Sequence, residues 1–400
     1  MGPNGLGTVI VLWLLTTAVV GATVWFWHFI GERSIRGIAA RIASQVVVIV
    51  CALAAATATL NHQYDWYVGW GEVRDAVFGV QASAAKGETK VAGAKAQPRI
   101  DAKQEKQQDN SAVVKYRATR DATQRDLRLA PKPGATGQYV RVTVPGLTGL
   151  PQSKRLGRVI VWLPASYTDP TQQDRLYPVI EGFHGAPGGP LDWARVDHVE
   201  GVIAKAVADK SVGEPILVFP DYMPGAVDTE CLNGGAVQME TWLTRTVPQW
   251  ITEHFRVRTS ADSWATMGYS AGGWCSAMAG LLHPDRYAAS IVIGGYFTPE
   301  LTNWNPFGTA GPPARYDLLQ LAADHAPRTN LWLQVAADDP TSGKASAQLA
   351  RVARPPLSVT TFNQPGVGHR ISVFMAALPV GLDWLGRTLP SFAPAKGASS

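Results

Sequence analysis

Two long stretches at the start of the chain, residues 6–27 and 42–60, contain no charged residue. At about 1.5 Å per residue, either run wound as a helix spans most or all of the roughly 30 Å hydrocarbon layer of a bilayer. Trp25 and Trp27 end the first run, where an interfacial aromatic belt belongs. The connection between the runs holds Arg33, Arg36 and Arg41 against Glu32, whereas the segment after them holds Asp65, Glu72 and Asp75 against Arg74. This bias predicts two transmembrane helices within residues 1–62, joined by a short cytoplasmic loop, with both chain ends outside. A cleaved leader fits less well, because the first five residues include no basic one and the run is too long. A buried helical hairpin of a soluble protein is the other alternative. Residues 63–80 mix aromatic and polar types (Tyr64, Trp66, Tyr67, Trp70) and predict a juxtamembrane segment resting on the interface.

The pattern then changes twice. Residues 81–136 have few large apolar side chains and predict a flexible basic linker, with short helices near residues 122–129. From residue 137 onward, short apolar runs alternate with helix-like stretches. Residues 139–144 and 158–163 read as an opening hairpin, and residues 177–182, 215–220, 264–267, 288–293, 331–335 and 358–362 as short strands. Helical stretches lie at 199–208, 240–255 and 272–282. Alternation of this kind predicts an α/β domain over residues 137–392, a mostly parallel sheet with helices on both faces, followed by a disordered tail at 393–400.

Charged residues make up only 17% of the chain, low for a wholly soluble enzyme and in keeping with membrane segments. The net charge of +5 is confined to the linker, which carries twelve Lys or Arg against six acids; the α/β region is nearly neutral, so basicity gives no reason to expect a nucleic-acid partner. Of three cysteines, Cys51 lies in an apolar run, while Cys231 and Cys275 lie in the α/β region. None belongs to a CxxC or Cys/His cluster, so no metal site is expected. In an oxidising compartment Cys231 and Cys275 could form a disulfide.

The chemistry gathers around Gly268-Tyr269-Ser270-Ala271-Gly272. A GxSxG string alone is weak, but this one follows a predicted strand and opens a predicted helix, the setting of a nucleophile elbow whose crowded turn needs small neighbours. In that arrangement acid and base follow the serine. Among the later histidines, His283 ends the helix after Ser270, where contact with terminal carbonyls is expected, and His325 has no suitable acid before it. His369 sits in the Gly-rich loop Gly366-Val367-Gly368-His369 and is the favoured base. The strand at 331–335 leads into Asp338 and Asp339; Asp339 is preferred for its offset, with Asp338 facing solvent or binding loop amides. An oxyanion needs two N–H donors, expected from Ala271 and from Ala186 in the turn Phe183-His184-Gly185-Ala186, with His184 bracing that turn. Residues 296–316, with Trp304 and Phe307, read equally as a flap over the pocket or as a surface insertion.

Taken together, the stretch from Val179 to Gly185, the GYSAGG elbow, the helix ending in HPDRYAA and the GVGH loop resemble the putative-esterase family of α/β-hydrolases, over roughly residues 138–390. That family includes carboxylesterases, S-formylglutathione hydrolases, feruloyl esterases and secreted mycolyltransferases. The resemblance implies the α/β-hydrolase fold, acyl transfer through a serine acyl-enzyme, a triad of Ser270, Asp339 and His369, oxyanion donors at Ala186 and Ala271, and no cofactor. The combined expectation is a multi-pass cell-membrane serine esterase with an extracytoplasmic catalytic domain acting on small-molecule or lipid esters. Alternatives are an acyltransferase on envelope lipids or sugars, a non-catalytic binding protein and, more weakly, a peptidase. The two-helix anchor departs from the secreted members.

Overall fold

A computed structural model describes residues 1–28, 34–80, 87–98, 135–150 and 156–394. The helices expected near 122–129, all but two residues of the expected tail, and Glu32 and Arg33 lie outside the described residues. Helix α1 (Leu6–Trp25) and helix α2 (Ile35–Tyr64) pack together, with Trp13 Nε1 donating to Thr59 Oγ1 at 3.0 Å. Both are long and apolar enough to cross a membrane, and most of their large apolar side chains are exposed. The second helix runs well beyond the uncharged stretch 42–60, because Ser34 caps its start by accepting from the Gly37 N–H at 3.1 Å. It ends where Asp65 turns left-handed, with φ 50°. Asn61 clasps the following turn, accepting from the Tyr67 N–H at 2.8 Å and donating to the Tyr67 carbonyl at 2.9 Å. The expected single juxtamembrane element is therefore a turn followed by helix α3 (Trp70–Val77).

The α/β region is built on a nine-stranded sheet. In chain order the strands are β1 (Glu88–Gly93), β2 (Gly137–Thr143), β3 (Arg158–Pro164), β4 (Val179–Phe183), β5 (Ile216–Pro220), β6 (Trp264–Tyr269), β7 (Ala289–Ile293), β8 (Asn330–Val335) and β9 (Ser358–Asn363). Their spatial order is β1-β9-β8-β7-β6-β4-β5-β3-β2. The six strands from β9 to β5 are parallel; β3 and β2 extend one edge antiparallel and β1 covers the other. Alternate residues of a strand enter two separate cores: Val159 and Val161 one, Ile160 and Trp162 the other. Helix α4 (Val199–Ala208) and helix α9 (Ile371–Thr388) cover one face through Ile203, Phe374, Leu378 and Leu382. The other face is covered by α5 (Val247–His254), α6 (Ala271–Leu282), α7 (Leu318–Asp324) and α8 (Gly343–Val352).

Two expectations need correction. Strand β1 lies inside the segment read as linker: all six of its residues pair with β9, from Glu88 opposite Asn363 to Gly93 opposite Ser358. An edge strand is recruited by backbone hydrogen bonds and stays solvated on its outer side, so Glu88 and Lys90 are compatible with it although they make the stretch look like linker. The helix expected over 240–255 is interrupted by a π-turn at Trp242–Thr246, just before Pro248 in the first turn of α5. Proline lacks the N–H that an unbroken α-helix needs there.

Two buried features set the stability of this domain. Glu181 is 0% exposed in the middle of the sheet; the Tyr287 hydroxyl donates to its Oε2 at 2.6 Å, yet burial pushes its carboxyl up to about 8. Cys231, after β5, is bonded to Cys275 on α6, closing 44 residues of chain. Between the ordinary glutamate value of 4.5 and about 8 the folded protein holds a proton that the unfolded chain has released, so this contribution to stability is present below pH 4.5 and lost as the pH rises to 8. Thermal melts from pH 5 to 9 should show that decline, and Glu181→Gln should flatten it; parallel pH curves for the two proteins would contradict the assignment. Replacing both Cys231 and Cys275 by Ser should lower unfolding stability by about 2–4 kcal/mol, read by denaturant titration, while reduction of the double variant changes nothing further.

Candidate active site

Ser270 stands between β6 and α6 with φ 56° and ψ −126°, a backbone region costly for a residue with a side chain. The turn is crowded on both sides. A Cβ on Gly268 would lie 2.0 Å from the Gly272 carbonyl oxygen, and one on Gly272 would lie 2.1 Å from the Phe183 carbonyl oxygen. Hydrogen bonds hold the strained residue: its N–H donates to the Ile293 carbonyl at 2.9 Å and its carbonyl accepts from Gly273 at 2.8 Å. The turn thus projects the serine hydroxyl off the end of the sheet, beside the N-terminus of α6.

His369 follows β9. Its Nδ1 lies 2.8 Å from Asp339 Oδ2 and its Nε2 lies 2.9 Å from Ser270 Oγ. A carboxylate can only accept, so Nδ1 carries the hydrogen, and Nε2 of the neutral ring accepts from the serine hydroxyl. Asp339, 1% exposed just beyond β8, also accepts from the Ser342 hydroxyl at 2.5 Å and the Thr341 N–H at 2.9 Å. Burial pushes this carboxyl up, but the hydrogen bond and charge of His369, with Ser342 and Thr341, outweigh burial and hold it below the ordinary aspartate value. Asp338 is exposed and instead accepts from the Gly366 N–H at 2.7 Å, which ties down the loop carrying His369.

Beside these groups is a cavity of about 440 Å³ lined by Ser270, His369, Gly185, Ala186, Trp66 and Tyr67, among others. A Cβ at Gly185 would meet the Tyr269 ring at 2.7 Å and the Ser270 Cβ at 3.5 Å, so this backbone approaches Ser270 closely. Ala271 opens α6, and its N–H is one of the first four that have no partner within a helix. His184 is buried; its Nδ1–H donates to the Gly185 carbonyl at 2.9 Å, and its ring stacks on Tyr222 at 4.4 Å. Burial also lowers its pKa, so it remains a neutral brace for the 183–186 turn.

Other sequence candidates are placed elsewhere. His283 does not bond terminal carbonyls; its Nε2 lies 2.7 Å from Glu240 Oε1, a buried carboxylate drawn to it across the packed helices. His325 is an exposed residue at the end of α7. The segment at 296–316 packs on the loop after β5: the Tyr296 hydroxyl and the Glu300 N–H donate to Glu230 at 2.6 and 3.0 Å, and the Asp228 N–H donates to Asn303 at 2.9 Å. It adds no residue to the cavity at Ser270. The Cys231–Cys275 bond ties this same loop, including the left-handed residues Glu230 and Cys231, to the helix that follows Ser270. Among the described residues, no group of three His, Cys, Asp or Glu side chains is placed to hold a metal ion.

Sequence reasoning missed the part played by the segment between α2 and α3. The His369 N–H donates to the Asp65 carbonyl at 2.8 Å, and the Gly368 N–H to Glu72 Oε1 at 3.2 Å. Arg370 pairs with Glu72, donates to the Trp66 carbonyl at 2.8 Å and lies over the Tyr67 ring at 4.7 Å. A Cβ at Gly368 would come within 2.5 Å of the Asp65 and Trp66 carbonyls, so the GVGH glycine serves this close approach. No local signal in residues 65–72 points to a partner near residue 369.

Comparison with known proteins agrees with this architecture. The chain is 24% identical over 270 residues to an uncharacterised protein of Corynebacterium glutamicum, a match that covers 63% of this chain and 62% of the relative; the chain thus spans about three fifths of the length of that curated relative. A solved S-formylglutathione hydrolase from Agrobacterium tumefaciens superposes with a TM-score of 0.51 at 16% identity, covering 65% of this chain and 99% of that one. A ferulic acid esterase superposes with a TM-score of 0.50 at 19% identity, covering 64% and 99%. At such identities the superpositions establish the α/β-hydrolase fold. The family model described as Putative esterase matches residues 153–379, more than half of the sequence, and the chain belongs to that family.

Proposed function

We propose that this protein is a membrane-anchored serine esterase whose catalytic domain lies outside the cytoplasm. The observation that carries the reading is the unbroken relay from Ser270 through His369 to Asp339, with both hydrogen bonds under 3 Å, beside a cavity able to hold an ester. As Ser270 Oγ attacks the ester carbonyl, its proton passes to His369 Nε2. Asp339 keeps the ring in the accepting tautomer and offsets the charge that forms on it. Negative charge on the carbonyl oxygen faces the N–H groups of Ala271 and Ala186. Collapse of the tetrahedral adduct breaks the ester C–O bond, and His369 gives its proton to the departing alcohol. Water then enters, His369 takes one proton from it, and its oxygen attacks the acyl carbon. The acid leaves as Ser270 recovers its hydrogen from the ring.

The location rests on different observations. Helices α1 and α2 expose apolar side chains along lengths that match a bilayer. Arg36 and Arg41 lie at the end of α2 remote from the catalytic domain, and this charge bias supports a cytoplasmic position for that end. A disulfide in the catalytic domain fits an oxidising compartment.

A fluorophosphonate probe should label Ser270 in membranes containing the full chain. Ser270→Ala should abolish labelling, and Ser270→Ala, His369→Ala and Asp339→Asn should each lower kcat for a short-chain ester by about 10⁴-fold or more. Asp338→Asn, which loses only a loop contact, should have a far smaller effect. Folded protein that neither takes the label nor hydrolyses any ester would end this reading.

A further inference from the structure

The cavity at Ser270 is not walled by the catalytic domain alone. Trp66 and Tyr67 form part of it, two and three residues after α2 ends. Counting from Arg41, residues 42–60 rise about 29 Å, the thickness of the hydrocarbon layer. That places residues 61–64, the last turn of α2, among the lipid headgroups, with Trp66 in the non-helical turn just after them. On that placement the pocket at Ser270 opens near the bilayer surface.

Helix α3 continues along that surface. Trp70, Val77 and Phe78 fall on one side of the helix and its C-cap and are 55%, 74% and 77% exposed, with the exposed Arg74 side chain between them, a mixed apolar and cationic face suited to lying on the interface. Its other side borders a second cleft of about 1,020 Å³. From α3 the cleft is lined by Gly71 and Ala76 together with the charged Glu72, Arg74 and Asp75, and from the His369 loop and α9 by Val367, Val373, Met375 and Ala376. Tyr67, Arg370 and Ser372 border both spaces. The smaller cavity falls within the usual 300–1,000 Å³ range for small-molecule pockets, and the cleft beside it is larger than a short acyl group needs. The ion pair of Arg370 with Glu72 and the Asp65 and Trp66 carbonyls hold these shared lining residues in place, so the two spaces adjoin at a fixed edge built from the catalytic domain and the N-terminal segment together.

We propose that Ser270 draws its acyl group from an amphiphilic ester resident in the membrane. The acyl chain lies in the cleft between α3 and α9, and the ester carbonyl reaches Ser270 past Trp66, Tyr67 and Ala186. This inference deepens the serine-esterase reading and rests on it and on the membrane placement.

The test uses the full chain in phosphatidylcholine vesicles with two probes: 4-methylumbelliferyl palmitate dissolved in the bilayer and 4-nitrophenyl butyrate in the water. Gly71 faces open space where a Cβ meets nothing within 4 Å, so Gly71→Trp can fill the cleft; Ala376→Phe fills it from the opposite side. Active sites are counted by fluorophosphonate labelling, so turnover is compared per labelled serine and a poorly folding variant is replaced by the other. Each substitution should lower the palmitate-to-butyrate turnover ratio at least tenfold, whereas Gly71→Ala should leave it within twofold. A wild-type protein that is labelled and hydrolyses butyrate but not palmitate overturns the proposal and leaves the esterase reading standing. A ratio unmoved by both blocking variants also overturns it. Absence of both labelling and turnover in the wild type defeats the esterase reading itself.

Discussion

Close contact between Gly272 and the carbonyl oxygens of Phe183 and His184 is the constraint on which the site depends. It brings the start of α6 against the end of β4 with no room for a side chain. The serine between β6 and α6 must then take a left-handed backbone, at a cost on the order of 1–3 kcal/mol. Parallel pairing of β4, β6 and β7 sets both flanks of the turn, and the Ile293 carbonyl holds the Ser270 N–H. The same contact brings Gly185 and Ala186 beside the nucleophile, so elbow and neighbouring turn are one packing unit.

A second level of organisation joins this unit to the N-terminal helices. Asn4 donates to the Asp65 side chain at 2.7 Å, Trp70 donates to the Met1 carbonyl at 2.8 Å, and Asp65 in turn accepts from the His369 N–H. The chain before α1, the end of α2 and the loop bearing His369 thus converge on residues 65–70. Asp338 restrains the loop carrying His369 from the sheet side, while Asp65 and Glu72 restrain it from the side of the N-terminal helices. The Asp65 and Glu72 contacts, between buried and half-buried partners, are less open to competition from water than the exposed Asp338 contact.

The acid illustrates where sequence reading reached its resolution. Asp338 and Asp339 are adjacent and chemically identical, and strand position alone leaves both at the correct end of the sheet. The turn after β8 sends Asp339 inward to His369 and Asp338 outward to Gly366, a choice made by backbone direction over a single residue. His283 shows the converse: its place at a helix end pointed to carbonyls, but a buried Glu240 offered a charged acceptor that local pattern could not reveal.

What the sequence determined by itself was whatever depends on neighbours along the chain: two apolar runs of membrane length, the alternation of strands and helices, and glycines flanking Ser270 and preceding His369. These follow from side-chain transfer energies and from steric limits within a few residues. What only the tertiary structure decided depends on residues far apart in sequence. Strand β1 belongs to the sheet because β9 offers it an open edge, not because its own composition demands a strand. Glu72 meets Arg370 across a separation of 298 positions, and Trp66 lines the same cavity as Ser270. Contacts of that range arise from the packing of whole elements, and no pattern local to either partner carries them.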